Sequence, residues 1–443
     1  MTTQSSRRSF LQQSAVGAFA ATSVFGQASP NGQLQHAAIG VTGMGKGDLA
    51  NISSHPKVKI VALCDIDANK LKVAAALHPD ARTYTDWREL LQKEGDKVDS
   101  VNVTVPDHMH AIMGLSAMKR GKHVYCQKPL THDVAEARLM NEYADTHDCI
   151  TQMGNQIHSH IAYRSAVAYI RSGVIGKIKE VHSWCAAKYT HGPRPTGVDP
   201  IPANLDWDGW LGTAPHRPFL KELYHPFKWR EWQDFGTGTI GDFGCHILDP
   251  VFSALDLTYP TDIRSEVPKE WQDNPLRFGE CWPDWEIFHY TFPGTKFTTG
   301  DTIKVTWYDS GKQPPKELAP LPEGWDLAQS GSLFIGEEGV MMLPHVGGPQ
   351  LLPKEKFAGT PKPDIPKNVD HYHTWVDACL AGKKTSDGFH YAGPLAEAVL
   401  LGTVANRLPG ETLEWNAAAL RVENNEAANK MLSRTYRTGW QIL

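Results

Sequence analysis

The chain has 443 residues, 41% of them hydrophobic and 21% charged, close to the globular average and far from a disordered composition. A net charge of −5 and a pI near 6.5 give no electrostatic reason to expect nucleic acid or an anionic membrane surface as partner. At ~100–200 residues per domain the length calls for two or three domains, and no apolar run reaches the ~18 residues of a permanent membrane span.

The first 28 residues read as an address. Arg7-Arg8, then Ser9-Phe10-Leu11, lead into a small, weakly apolar stretch over residues 14–25 and a small-x-small end at Gly26-Gln27-Ala28. This is the pattern of a twin-arginine signal peptide, so the expected location is periplasmic or otherwise exported. The seven cysteines are odd in number, lack a CxxC pair and sit in apolar contexts, which predicts buried free thiols and no disulfide framework.

From residue 35 to 155, short apolar strands alternate with helical stretches. Residues 36–42, 58–64, 98–105, 123–125 and 150–153 read as strands, and 110–120 and 135–146 as helices. That rhythm predicts an α/β unit with a doubly wound parallel sheet. After residue 156 the strand-like runs lengthen, at 179–189, 285–292, 296–307 and 332–343, the last broken by a turn at Gly336-Glu337-Glu338-Gly339. Residues 156–443 are therefore expected to form a second, α+β domain on a mainly antiparallel sheet. Segments 194–234 and 309–330 read as long loops, where substrate choice is expected to reside.

The first strand runs into Gly43-Met44-Gly45-Lys46-Gly47-Asp48. Glycines there permit a tight turn and bring backbone amides to a pyrophosphate at a helix N-terminus. Asp65 ends the next strand, 22 residues after Gly43, near the ~20-residue spacing of a carboxylate on the adenosine ribose. A carboxylate there repels a 2′-phosphate, favouring NAD over NADP. The loop Val103-Thr104-Val105-Pro106-Asp107-His108-Met109-His110 follows the third strand and is expected to border the cofactor, with Thr104, Pro106, His108 and His110 facing it.

Three His-x-His pairs, at 108/110, 158/160 and 371/373, arise easily among 20 histidines, and none has a third ligand at metal spacing, so no metal is expected. Lys128 lies just beyond the strand at 123–125 and could hold a substrate hydroxyl as its oxygen gains charge, although strand-end lysines are usually solvated. In the run Gly236 to Asp249, Asp242 and His246 stand four residues apart and share a face if helical. A histidine beside a carboxylate is a general base for a hydroxyl proton, or else a buried, hydrogen-bonded pair. Trp184, Trp207, Trp210, Trp229 and Trp232, interleaved with Tyr224, His225 and Arg230, suit either sugar rings or a domain interface.

Together these segments resemble the Gfo/Idh/MocA family, named for glucose–fructose oxidoreductase, inositol dehydrogenase and a rhizopine-catabolism protein. The resemblance rests on Cys126-Gln127-Lys128-Pro129, a variant of the family's Glu-Lys-Pro, and on the glycine-rich run 236–246. Thr151 to Gln156 and the Pro394-Leu395-Ala396-Glu397 segment are similar to the exported, twin-arginine members. The resemblance implies a Rossmann domain followed by a domain with a large open sheet, used for contacts in a homodimer or homotetramer. It implies catalytic roles for Lys128, Asp242 and His246, cofactor contacts from Gln127, Lys128 and Gln156, and substrate contacts from Tyr163, Arg164 and Trp232 beside the catalytic three. Two positions depart from the pattern: Gln127 where an acid is usual, and Asp48 where a third glycine is common.

The expected chemistry is hydride transfer between a sugar or cyclitol carbon and NAD. His246 takes the hydroxyl proton, Asp242 orients His246 and Lys128 stabilises the alkoxide. An exported enzyme meets little free NAD, so the cofactor is expected to be tightly held and recycled. Transient oxidation that enables glycoside elimination is the alternative chemistry. A non-catalytic sugar-binding protein that retains the cofactor, and a metal hydrolase, are the alternatives from other classes.

Overall fold

The computed structural model describes residues 32–443, so the expected signal peptide at 1–28 lies outside the described residues. Helices of eight or more residues are numbered α1 to α9. The first half runs β1 (Leu34–Ile39), α1 (Met44–Ser53), β2 (Val58–Cys64), α2 (Ala68–Leu77), β3 (Arg82–Tyr84), α3 (Trp87–Glu94), β4 (Ser100–Val103), α4 (His110–Lys119), β5 (His123–Gln127), α5 (Val134–Thr146) and β6 (Thr151–Gly154). All neighbouring strands are parallel, in the order β3-β2-β1-β4-β5-β6. The chain reverses direction between β1 and β4, which opens a crevice at the carboxyl ends of the strands. Aspartates start the helices: Asp67 caps α2, Asp86 caps α3, and Asp133 with Glu136 forms a capping box on α5.

The second half contains α6 (Ile161–Arg171), β7 (Ile178–Cys185), α7 (Gly238–Leu255), β8 (Asp262–Glu266), β9 (Ile287–Pro293), β10 (Thr302–Asp309), β11 (Gly331–Gly336), β12 (Val340–Pro344), β13 (Gln350–Leu352), α8 (His371–Ala381), α9 (Phe389–Ala405), β14 (Thr412–Asn416) and β15 (Arg421–Val422). Its nine strands lie in the order β13-β12-β11-β7-β10-β9-β8-β14-β15. Only the β7–β10 pair is parallel, as a mainly antiparallel α+β sheet requires. The expected run at 332–343 is two strands, β11 and β12, paired as a hairpin around the Gly336–Gly339 turn.

Alternation along these strands gives the sheet two different faces. Val181, Val305, Trp307, Phe334, Met341 and Leu343 face α7 and α9 in the main core. Trp184, Leu333, Met342 and Leu352 face the other way, and Leu318, Ala319, Leu321 and Leu327 cover them. Trp184 Nε1 donates to Ala328 O at 2.7 Å within that cover. The 309–330 segment, expected to choose substrate, is thus a lid on the sheet face opposite α7.

The C-terminal helices return to the first sheet. Helix α8 packs on α1 and β1, placing Tyr372, Trp375 and Val376 among Leu34, Ile52, Tyr125 and Ile150. Helix α9 packs between α5 and α7, and Glu397 on it holds Arg138 of α5 through Nη2–Oε1 at 2.8 Å and Nε–Oε2 at 3.0 Å. All seven cysteines are buried free thiols, as their contexts predicted.

Candidate active site

The turn after β1 is shaped by contact. Gly40 is left-handed, and a Cβ on it would lie 1.9 Å from Thr104 O; one on Gly45 would lie 2.2 Å from Gly40 O. Gly43, also left-handed at φ 56°, precedes α1, and no side chain caps that helix end. This cradle fits a dinucleotide pyrophosphate: the backbone is bare of Cβ atoms and the helix N-terminus faces outward. Gly47 lies within α1, where a Cβ would only reach ordinary contact with Met44 Sδ at 4.0 Å, so the glycines that shape the turn are Gly40, Gly43 and Gly45 rather than Gly43, Gly45 and Gly47. Asp65 directly follows β2 and accepts from Val41 N and Asp67 N, each at 3.0 Å, which braces the turn; burial pushes its carboxyl up from the usual range.

The two departures from the family pattern meet each other. Asp48, fully buried in α1, accepts from Gln127 Nε2, Thr104 Oγ1 and Tyr372 OH, each at 2.8 Å. A glutamate at 127 would set two buried carboxylates against one another, and glutamine donates instead. Gln156 Nε2 reaches Tyr372 OH at 3.1 Å and lies 4.0 Å from Met44 Sδ, so it borders the same turn.

The loop after β4 works mainly for the backbone. His110 spans Pro129 O and Val105 O at 2.8 Å each, and His108 spans Trp210 O at 3.1 Å and Phe235 O at 3.3 Å. Both rings are buried, so they brace this loop instead of presenting a face to a cofactor. Pro106 opens the short helical turn that carries His108 and leads into α4 at His110, and Asp107 accepts from Thr237 N and Oγ1, fixing the start of α7.

Helix α7 delivers Asp242 and His246 on one face, as their spacing predicted. Lys128 Nζ donates to Asp242 Oδ1 at 2.6 Å and to Asp242 O at 2.8 Å, while Arg230 Nε donates to the same Oδ1 at 3.1 Å. Two cations hold the Asp242 carboxyl far below the usual range. Asp242 is thus the anchor of Lys128, and the expected orienting contact to His246 is made by another residue. Asn155 Oδ1 meets His246 Nδ1 at 2.6 Å, and Asn155 Nδ2 donates to Cys245 O at 3.0 Å. The amide orientation therefore makes Oδ1 the acceptor, so Nδ1 carries the proton and Nε2 presents a lone pair. Burial and the nearby Lys128 push the His246 imidazolium well below the ordinary histidine value, keeping the ring neutral.

Around this pair stand His345 and Arg230, which the sequence reading left without a role, beside residues it had assigned. His345 lies 6.0 Å from the His246 ring, centroid to centroid, and shares a 2.7 Å hydrogen bond with Tyr163 OH. Arg230 is sandwiched by aromatics, 4.1 Å from Trp229 and 4.5 Å from Phe227. Arg164 donates to Pro366 O at 2.7 Å and, with Tyr163, lines a cavity of about 380 Å³ that Lys128 and His246 do not line. Trp232 corrects an expectation: it is fully buried, with Nε1 on Leu223 O, in a cluster with Trp207, Trp210, Tyr224, Trp229 and Phe235. These tryptophans fill the 205–235 lobe and offer no open ring face to a sugar.

The histidine pairs also separate. His160 accepts from Ala162 N at the start of α6, His371 meets Met153 O and Ser159 Oγ, and His373 meets Ser54 Oγ. His158 differs from the expectation of no further ligand: Asp249 and Asp387, distant in sequence, bring carboxylate oxygens to within 4.8 Å of it and of each other.

Comparison with known proteins agrees with this architecture. Residues 34–155 match the model of an oxidoreductase family with an NAD-binding Rossmann fold, and residues 174–281 match that family's C-terminal α/β domain. A glycosyl hydrolase family 109 protein of Solibacter usitatus is 30% identical over 161 residues, 34% of this chain and 36% of that protein. An inositol 2-dehydrogenase of Salmonella paratyphi B is 26% identical over 152 residues, 34% of this chain and 45% of that protein. The chain thus spans less than half the length of these curated relatives. The crystal structure of aldose-aldose oxidoreductase from Caulobacter crescentus, complexed with glycerol, superposes with a TM-score of 0.55 over 86% of this chain and all of that one, at 17% identity. The two family matches take in just over half of the chain, which belongs to the Gfo/Idh/MocA oxidoreductases.

Proposed function

We propose that the protein oxidises a secondary hydroxyl of a sugar or cyclitol with NAD held tightly and recycled on the enzyme. The observation that carries this reading is the state of His246: neutral, with Nδ1–H fixed on Asn155 and Nε2 without a partner among the described residues. NAD, when bound at the glycine turn, supplies the hydride acceptor. His246 Nε2 takes the hydroxyl proton as the adjoining C–H bond gives up its hydride. Lys128, held by Asp242, steadies the oxygen while it carries negative charge, and Arg230 keeps Asp242 ionised. Asp65 at the end of β2 supports NAD over NADP, because its carboxylate opposes a 2′-phosphate.

Export through the twin-arginine route, a homodimer or homotetramer, and the division at residues 155/156 belong to the same proposal. A second reading, glycoside cleavage by transient oxidation and elimination, is favoured by the Tyr163–His345 pair beside His246, which supplies a second group able to move a proton. The 30% identity to a glycosyl hydrolase family 109 protein supports it as well.

Denaturing the protein purified without added cofactor, followed by mass spectrometry and 340 nm absorbance, tests the core of the proposal. Near-stoichiometric NAD or NADH is the expected result; protein free of nucleotide and without affinity for it refutes a held, recycled cofactor. Hydride exchange between sugar pairs then separates net redox chemistry from release of an aglycone without accumulating NADH.

A further inference from the structure

Asp387 stands in the loop before α9 and is only 1% exposed, yet neither of its carboxylate oxygens has a hydrogen-bond partner among the described residues. A buried carboxylate left unpaired is costly, so an occupant is called for. The side chain faces His158 and Asp249, with one donor atom from each of the three within 4.8 Å of the others.

We propose that His158, Asp249 and Asp387 bind one divalent cation, of the Mn²⁺ or Zn²⁺ class, in a site separate from the Lys128–His246 centre. One imidazole and two carboxylates make a neutral complex with a divalent ion, and mixed nitrogen and oxygen donors suit these metals. Ligand atoms around such an ion stand roughly 3–4 Å apart, given metal–ligand bonds of about 2.0–2.2 Å, so the three side chains need to draw in by less than about 1 Å. The outer partners are in place. His158 Nε2 meets Ser386 Oγ at 3.1 Å, which leaves Nδ1 to the ion, and Tyr391 OH donates to Asp249 Oδ1 at 2.9 Å. His158 Nδ1 and Asp249 Oδ1 are now 2.8 Å apart in a hydrogen bond, close to the spacing of two adjacent ligands. The cavity of about 380 Å³ reaches His158, Asp249 and Ser386 and gives an entry path. Its two arginines are occupied elsewhere, Arg164 on Pro366 O and Arg171 on Asp256 and Ser253 O.

The three ligands come from the segment after β6, from α7 one turn beyond His246, and from the loop entering α9. A bound ion therefore staples the catalytic helix to the edge of the first sheet, a structural role that does not depend on the proposed hydride chemistry.

The test uses the purified mature protein. Elemental analysis as isolated is followed by EDTA dialysis and titration with Mn²⁺ read by electron paramagnetic resonance. One tightly held ion per chain is expected, with a histidine-nitrogen coupling in the pulsed spectrum and a raised thermal midpoint. Asp387→Asn and His158→Gln are each expected to weaken binding tenfold or more while the bound nucleotide is retained, and His158→Gln is expected to lose the nitrogen coupling. Folded native protein that takes up neither Mn²⁺ nor Zn²⁺ at millimolar concentration overturns the proposal and leaves an ordered water as the occupant. Binding without nitrogen coupling, or binding unchanged in both variants, overturns it equally. Should Asp387→Asn fail to fold, the spectrum of the native protein and the His158→Gln variant decide.

Discussion

Restoring the family's acid at position 127 tests whether Asp48 and Gln127 are a matched pair. In Gln127→Glu, two buried carboxylates would face each other where a 2.8 Å hydrogen bond now stands, and burial already pushes the Asp48 carboxyl up. Coulomb repulsion at ~3 Å and an effective dielectric of about 20 exceeds about 5 kcal/mol, so the pair takes up a proton instead. Supplying that proton at pH 7 to a group of ordinary pKa about 4.3 costs about 3.7 kcal/mol, at about 1.36 kcal/mol per unit. The acid–carboxylate hydrogen bond then returns about 1–1.5 kcal/mol. The variant is thus expected to lose about 2–3 kcal/mol at pH 7 and almost nothing at pH 5. The sign follows from linkage: the folded variant binds one more proton than the unfolded chain between about pH 4 and the raised value of the pair, so its stability falls as pH rises. Urea unfolding of native and variant protein at both pH values measures the difference. Equal stability at pH 7, or an equal loss at both, refutes the pairing.

Lys128→Ala is expected to reduce kcat/KM by 10²–10⁴-fold while leaving bound nucleotide in place, read by steady-state kinetics beside nucleotide content. Because burial and Lys128 depress the His246 imidazolium, the acid limb of the activity profile should fall below the ordinary histidine value near 6.5, with activity lost only as pH drops through that lower point. Asn155→Asp puts a carboxylate on Nδ1 and should move that limb upward by about one unit or more; an unmoved limb removes His246 as the base. Arg138→Met strands Glu397, only 1% exposed in its side chain, and should cost about 3–5 kcal/mol in urea unfolding at pH 7.

What could be read from the sequence was local. Strand–helix alternation, the β1 glycine turn and the four-residue spacing of Asp242 and His246 each lie within one or two elements, where periodicity is informative. Even there the frame slipped, because Gly40 sits on the strand side of the turn and its reason, contact with Thr104 O, comes from the loop after β4. The partners that define chemistry come from far along the chain: Asn155 is 91 residues from His246, and Tyr372 is 324 from Asp48. No spacing rule reaches that distance. Trp232 and its neighbours misled for another reason: the residue type suits a sugar platform and a lobe core equally, and only burial distinguishes them.

The return of α8 and α9 to the first sheet has a consequence for biosynthesis. Trp375 and Val376 complete the apolar layer over β1 and α1, and Leu443 donates its backbone N–H to Ser116 Oγ on α4. β1 and α1 therefore wait for a helix made more than three hundred residues later before that layer closes. At about 5–20 residues per second that interval lasts roughly 15–60 seconds, during which the nascent nucleotide-binding half leaves that apolar layer open to solvent.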